Sequence, residues 1–139
     1  MINAIIISGD KNSIEQVNNL VQSFCPSIQL GAGSGDLKTG ISLINQQQPD
    51  VVFIDTFLTD GSGFELLNQF TYPDFKTIII SEYAEYAVKA IDYGVSGYLL
   101  KPINDQKFIA AIQRTTEIIN REEKLQLGLF ENNLEKNEN

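Results

Sequence analysis

Four polar residues follow the apolar segments of this sequence, and together they have the chemistry needed to handle a phosphoryl group. Asp10 follows the first apolar run, and Asp55, Ser81 and Lys101 follow the third, fourth and fifth runs. A carboxylate can act as a nucleophile toward a phosphoryl group, a lysine can neutralise the transferred phosphate, and a serine hydroxyl can hydrogen-bond it. These residue types predict a combined anion and cation site, provided that the fold brings them to one place.

Asp55 ends the segment with the clearest structural signal. The residues from Val51 to Ile54 are β-branched or aromatic and show no polar alternation, which is typical of a strand buried on both faces of a parallel sheet. Ligands of open α/β sheets bind beyond the carboxyl ends of the strands, so a carboxylate there is well placed for chemistry or ion binding. An aspartate that only caps the turn after the strand is an equally good interpretation of this segment alone.

Short apolar runs alternate with helical patterns along the chain. Pro26 and Pro49 end two of the helical patterns, Gly94 suits a left-handed helix cap, and Asn104 or Asp105 suits the N-cap of the last helix. Five strands alternating with five helices predict an α/β fold with a doubly wound, five-stranded parallel sheet, because parallel neighbours need crossover helices on both faces. In such a sheet the four polar residues share one edge. The predicted strands are residues 4–7, 28–32, 51–54, 77–80 and 96–100.

Composition narrows the class of protein. The chain has 139 residues, a formal net charge of −8 and a pI near 4.4, without a concentrated Lys/Arg block, so we expect it to bind no nucleic acid. No apolar run approaches the length of a membrane span and no basic segment precedes the first strand, so we expect a cytoplasmic protein without a membrane anchor.

Cysteine and histidine usage excludes several kinds of site. Cys25 is the single cysteine and the chain has no histidine, so it can build no internal disulfide, no Cys/His zinc site and no histidine-based triad. We expect Cys25 to be a small buried residue at a helix end. The glycines at 31, 33 and 35 lack the spacing of a dinucleotide-binding loop, and a flexible turn is the better interpretation.

Two segments resemble the receiver domain of two-component response regulators. Residues 55–63, Asp-Thr-Phe-Leu-Thr-Asp-Gly-Ser-Gly, are similar to its phosphoacceptor segment D-x-x-L/M-P-D-x-x-G, and residues 97–103 are similar to its closing Y-L-x-K-P motif. The resemblance covers about residues 3–120 and implies the flavodoxin-like (βα)5 receiver fold. Residues 85–94 are also similar to the E-Y-A-x-x-A-F segment of regulators that carry LytTR-type DNA-binding domains.

The resemblance also implies roles for individual residues. Asp55 would be the phosphoacceptor, Lys101 the phosphate partner, Ser81 the hydroxyl of the switch and Tyr98 the aromatic residue that reorients with it. The Lys101-Pro102 bond would be cis. The partner would be a histidine kinase or another phosphodonor protein, and a homodimer would form through the face of the fourth helix, fifth strand and fifth helix.

The metal site that the resemblance implies is degenerate in this sequence. Receivers hold Mg²⁺ with two adjacent acids at the end of the first strand, where this chain has Ser8 and Gly9. The remaining donors would be Asp10, Asp55 and the backbone carbonyl of Phe57. Because Mg²⁺ demands near-octahedral oxygen coordination, we expect weak binding and slow phosphotransfer, unless a local bulge or bound waters bring Asp10 into the site.

Several functions are compatible with these residues. The first is a phosphoacceptor switch at Asp55, impaired by the missing acids, and the second is a receiver that works as a phosphorylation-independent interaction or dimerisation module. We expect no enzyme, because a phosphatase resembling the haloacid dehalogenase superfamily needs an acid where Phe57 stands. A flavodoxin-like cofactor binder would need a hydroxyl-rich phosphate loop after the first strand, which residues 8–13 do not provide.

The domain boundary is predicted near the end of the last helix. We expect residues 1–122 to form the receiver domain and residues 123–139 a helical extension and polar tail, frayed or disordered from Asn132 onward. We expect the segment of Leu125 and Leu129 to extend the last helix toward a partner or an output domain. Three tyrosines are candidates for a self-association face, although ordinary packing is equally compatible: Tyr83, Tyr86 and Tyr93.

Overall fold

The computed structural model describes residues 1–137 and contains the alternating strands and helices predicted from the sequence. The strands are β1 (Ile2–Ile7), β2 (Ile28–Leu30), β3 (Val51–Asp55), β4 (Phe57–Leu58), β5 (Gly61–Ser62), β6 (Lys76–Ser81) and β7 (Gly97–Leu100). The helices are α1 (Lys11–Phe24), α2 (Leu37–Gln47), α3 (Gly63–Leu67), α4 (Ala87–Asp92) and α5 (Asp105–Asn137), and a 3-10 turn, Ala84–Tyr86, leads into α4.

Five strands form one parallel sheet in the order β2-β1-β3-β6-β7. This arrangement confirms the predicted doubly wound α/β fold, with β3 at the centre and all five of its residues buried. The strand pair β4 and β5 was not expected. It is a small antiparallel hairpin in which Phe57 pairs with Ser62, and it shapes the turn after Asp55.

The apolar core lies in two layers, one on each face of the sheet. On one face Phe53 stacks on Phe108 of α5 with ring centroids 5.8 Å apart. On the other face Ile54 packs with Phe64 and Leu66 of α3. The continuous apolar character of β3 therefore reflects burial on both faces, and the strand is a rigid support for the aspartate that ends it.

Helix caps occur where the sequence predicts them. The Asn104 side chain accepts a hydrogen bond from Lys107 N at 3.0 Å, so Asn104 is the cap of α5. Gly94 has a φ of 67°, and Cys25 is buried beside the end of α1. The Lys101-Pro102 peptide bond is cis, as the family resemblance implies.

Helix α5 is longer than predicted. It continues through Asn137, contrary to the expected fraying from Asn132, and residues 138–139 lie outside the described residues. The helix crosses the predicted boundary at residue 122 without a break. Beyond that point four large apolar side chains are each more than 60% exposed: Leu125, Leu127, Leu129 and Phe130. Within residues 1–137, no helix is long and apolar enough to cross a membrane.

Candidate functional site

The carboxyl ends of β1, β3, β6 and β7 meet at one edge of the sheet, as the polar residues predict. Ile7 is level with Ile54, Asp55 with Ile80, and Ser81 with Leu100. This register brings the residues that follow β1 and β7 to the carboxylate of Asp55.

The Asp55 carboxylate is completely buried, and both of its oxygens have partners within the protein. Its Oδ2 atom lies 2.7 Å from Lys101 Nζ and accepts a hydrogen bond of 2.7 Å from the Ser8 hydroxyl. Its Oδ1 atom accepts a hydrogen bond of 2.9 Å from the backbone N–H of Phe57. Both oxygens therefore have partners without any bound ion or ligand.

Lys101 joins the two acidic residues of the site. Its Nζ atom lies 3.0 Å from Asp10 Oδ2 as well as 2.7 Å from Asp55 Oδ2. Burial disfavours the charged form of Lys101, but its hydrogen bonds and attraction to Asp55 and Asp10 outweigh that cost, so the pKa of Lys101 is raised. The hydrogen bond from Lys101 lowers the pKa of Asp10 despite partial burial.

Asp10 has a second, structural role at the start of α1. Its Oδ1 atom accepts a hydrogen bond of 3.0 Å from Asn12 N, and its Oδ2 atom accepts one of 3.1 Å from the Ser13 hydroxyl. These are the contacts of a helix N-cap. Asp10 thus reaches the site, as one of the two expected rescues requires, but its partner there is Lys101.

Ser8 is a site residue that the sequence analysis missed, because it considered this position only as a lost metal ligand. The side chain is 1% exposed and its hydroxyl donates directly to Asp55. The sequence does carry a signal for this contact. Once Ile7 and Ile54 are aligned in parallel strands, Ser8 is the residue that stands beside Asp55.

Gly9 and Phe57 are also in contact at this edge. The backbone N–H of Gly9 donates a 3.1 Å hydrogen bond to the Phe57 carbonyl, which is the oxygen expected to face the metal. A Cβ atom on Gly9 would lie only 2.9 Å from Cε1 of the Phe57 ring. The ring thus stands over the position where receivers carry the second acid.

These residues, in this arrangement, do not fit a Mg²⁺ ion. Asp55 and Asp10 share the ammonium of Lys101, and the Phe57 carbonyl accepts from Gly9. Across residues 1–132, whose side chains the structure describes, there is no cluster of three His, Cys, Asp or Glu side chains that could hold a metal ion, and every buried side-chain N or O atom has a hydrogen-bond partner. The ammonium of Lys101 supplies the positive charge between the carboxylates, and a metal role for Asp10, Asp55 and Phe57 stays a prediction.

Ser81 and Tyr98 lie beside this cluster rather than within it. The Ser81 hydroxyl accepts a 3.1 Å hydrogen bond from the Thr56 hydroxyl and one of 3.0 Å from Tyr83 N. The Tyr98 hydroxyl donates to the carbonyl of Tyr83. Thr56 is therefore a second residue that the sequence analysis missed, since a threonine after the aspartate has no distinctive pattern.

A cleft of about 330 Å³ opens next to Asp55 and Lys101. Lys89 lies at this cleft, with its Nζ atom 4.5 Å from the centroid of the Phe64 ring. Of the three tyrosines considered for self-association, Tyr93 packs against the core and donates a 2.8 Å hydrogen bond to Asn68. Tyr83 and Tyr86 are 47% and 41% exposed, so they stay candidates for a surface contact.

Comparison with protein families agrees with this geometry. The family model described as the response regulator receiver domain matches residues 5–113. The chain is 30% identical over 117 residues to an uncharacterized response regulatory protein of Vibrio cholerae, which covers 82% of this chain and 48% of that protein. It is 25% identical over 118 residues to the sensory transduction protein LytT of Enterococcus faecalis, covering 84% and 48%. The chain spans about half the length of these curated relatives.

Solved structures show the same fold. The signal receiver domain of a putative Luxo repressor protein from Vibrio parahaemolyticus superposes with a TM-score of 0.78 at 17% identity, covering 89% of this chain and 96% of that one. The REC domain of AraT, a response regulator from Geobacillus stearothermophilus, superposes with a TM-score of 0.76 at 20% identity, covering 88% and 98%.

Proposed function

Because this chain belongs to the family of response regulator receiver domains, we propose that it is a signalling receiver whose output does not depend on Mg²⁺-assisted phosphorylation of Asp55. In this proposal the domain acts through protein contacts, as an interaction or dimerisation module of a two-component system. The retained fold supplies the interaction surfaces, and the site around Asp55 stabilises one arrangement of them.

The observation that carries the proposal is the convergence of Ser8 and Lys101 on Oδ2 of Asp55. A nucleophilic carboxylate oxygen must be free to approach phosphorus, whereas this oxygen has two partners at 2.7 Å and no exposed surface. The charge that develops during phosphoryl transfer is normally balanced by a divalent cation. Among the residues that the structure describes, Lys101 is the single cation that contacts Asp55, and it is shared with Asp10.

The second candidate is a phosphoacceptor switch at Asp55. The cleft beside Asp55 and Lys101 favours it, because a small phosphoryl donor would have a route to the carboxylate once Lys101 or Ser8 moved. In this candidate Lys101 neutralises the new phosphoryl group and Ser81 hydrogen-bonds it, as the family resemblance implies.

Phosphorylation with a small donor decides between the two. The protein is incubated with acetyl phosphate and MgCl₂, and its intact mass and oligomeric state are measured. We expect neither to change, in wild type or in Asp55→Asn. A mass gain of one phosphoryl group on wild type that is absent from Asp55→Asn would overturn the proposal and establish the second candidate.

The proposal includes the kind of partner. In the phosphoacceptor candidate the partner would be a histidine kinase or another phosphodonor protein of the cytoplasm. In the phosphorylation-independent proposal a second copy would pack on the face of α4, β7 and α5. Exposed apolar side chains on α4 and β7 support that face: Val88 is 74% exposed, Ile91 73% and Leu100 41%. In this proposal residues 1–139 themselves bind no nucleic acid, since their formal net charge is −8.

A further inference from the structure

We propose that Thr56 is the positioning residue that holds Ser81 and Tyr98 in place while Asp55 is unmodified. This inference rests on the proposed phosphorylation-independent output and adds the residue that makes it possible. Three contacts support it, and they connect Thr56, Ser81, Tyr83 and Tyr98; we call these four residues the hydroxyl relay.

The first contact fixes Ser81 from the residue that directly follows Asp55. The Thr56 hydroxyl donates a 3.1 Å hydrogen bond to Ser81 Oγ. Thr56 itself is anchored to the strand of Ser81, because its backbone N–H donates to the Ile80 carbonyl at 3.0 Å. Thr56 directly follows β3, and this backbone hydrogen bond ties it to β6, the strand that ends in Ser81.

The second contact occupies the remaining hydrogen-bonding sites of the Ser81 hydroxyl. Ser81 is 0% exposed, accepts from Tyr83 N at 3.0 Å and donates to the Tyr83 carbonyl at 3.4 Å. A serine hydroxyl has one donor and two acceptor sites, and Thr56 and Tyr83 together fill all three. Ser81 has no donor left for a phosphoryl oxygen unless it releases Tyr83.

The third contact connects Tyr83 to Tyr98, which is partly exposed at the surface. The Tyr83 carbonyl also accepts the hydroxyl of Tyr98, whose half-buried ring packs against the core. Tyr83 begins the segment that leads through the 3-10 turn into α4. The hydroxyl relay thus sets the positions of Tyr98 and of the 3-10 turn that leads into α4, while Asp55 remains unmodified.

Three variants test the role of Thr56. Thr56→Val keeps the shape of the side chain and removes the hydroxyl, whereas Thr56→Ser keeps the hydroxyl. Thr59→Val is the matched control, because it removes another threonine hydroxyl from the same turn, one that donates to the Gly35 carbonyl at 3.3 Å. Amide hydrogen exchange, followed residue by residue by NMR, compares Tyr83 with the Phe53 and Ile54 amides of β3.

We expect the exchange of the Tyr83 amide, relative to the β3 amides, to be about fivefold faster in Thr56→Val, the effect of one lost hydrogen bond. Thr56→Ser and Thr59→Val should match wild type. An unchanged Tyr83 rate in Thr56→Val would overturn the inference, as would equal acceleration of Tyr83 and β3, which would mean that Thr56 stabilises the domain as a whole.

The position of Tyr98 provides a second readout. In protein labelled with 3-fluorotyrosine, the Tyr98 fluorine signal should shift in Thr56→Val, while the signal of Tyr72, which is 91% exposed, stays constant. An unchanged Tyr98 signal would contradict the relay. All samples are unphosphorylated, so this outcome is independent of whether acetyl phosphate later modifies Asp55, which is the separate test of the proposed function.

Discussion

The Nζ atom of Lys101 lies 2.7 Å from Oδ2 of Asp55, a carboxylate with no exposed surface. Lys101 is itself only 12% exposed, so the pair is removed from most of the screening that weakens ion pairs at a protein surface. In such a pair the favourable contact largely offsets the cost of burying two charges, and the loss of one partner leaves the other charge uncompensated. This relationship makes the site a determinant of stability.

Removal of the lysine charge should therefore be costly. We expect Lys101→Met to lower the free energy of unfolding by about 3 kcal/mol, because Asp55 would stay buried without its cation. Urea denaturation measures this value. Lys76→Met is the matched control, since Lys76 pairs with Glu122 at 2.7 Å on the surface, and it should cost less than about 1 kcal/mol. Equal losses of unfolding free energy in the two variants would show that the buried pair contributes no more to stability than the surface pair.

A carboxylate at position 8 should create a dependence on divalent cations. Ser8→Asp places a second acid against Asp55, and two like charges in a buried site destabilise the fold until a cation joins them. We expect a lower melting temperature than wild type without metal and a clear increase when MgCl₂ is added. Thermal unfolding with and without the salt measures both.

Ser8→Asn serves as the control for this prediction, because it has nearly the same shape as Ser8→Asp without the charge. Its melting temperature should be insensitive to MgCl₂, and so should that of wild type. A comparable rise in the melting temperature of wild type would show that Asp10, Asp55 and the Phe57 carbonyl already hold Mg²⁺. That result would contradict the conclusion that these residues do not fit the ion.

Acid should weaken the fold partly through Asp10. The hydrogen bond from Lys101 lowers the pKa of Asp10 below its ordinary value of 3.8, so in the acid range the unfolded state binds more protons than the folded state. The stabilisation is present above the ordinary pKa and is lost as the pH falls through the lowered pKa. Urea denaturation between about pH 7 and pH 3 should show this loss.

In Asp10→Asn the decline with acid should be shallower than in wild type. It should not vanish, because the Thr39 N–H and hydroxyl contacts at the start of α2 lower the pKa of Asp36 as well. An unchanged decline in Asp10→Asn would mean that other carboxylates account for the acid sensitivity.

Most of the fold could be predicted from the sequence, because burial on both faces of the sheet leaves an unmistakable apolar run such as Val51 to Ile54. The convergence of Asp10, Asp55 and Lys101 followed from the same strands, since the ends of parallel strands share one edge. The length of α5 was underestimated because polar composition after Asn132 indicates fraying, and local composition does not reveal where a long helix ends.

The partners within the site could not be predicted as well. Ser8 and Gly9 stood out as departures from the family pattern, but the direct bond from Ser8 to Asp55 depends on strand register, and the contact of Gly9 with Phe57 depends on the small β4–β5 hairpin. Thr56 had no signal at all, because its role depends on a side-chain contact with Ser81 across neighbouring strands.

The exposed apolar face of α4 should control self-association. Ile91 is 73% exposed on α4, so Ile91→Glu removes apolar area from the proposed dimer face with little effect on the core. We expect wild type to sediment as a dimer at high concentration in analytical ultracentrifugation, and Ile91→Glu to remain a monomer because two buried glutamates would repel each other across a twofold interface. Tyr72→Glu is the control, since Tyr72 is 91% exposed and lies in the segment between α3 and β6, outside α4, β7 and α5, so its replacement should leave the dimer intact. A wild-type monomer at every concentration, or a dimer in Ile91→Glu, would show that a second copy does not bind this face.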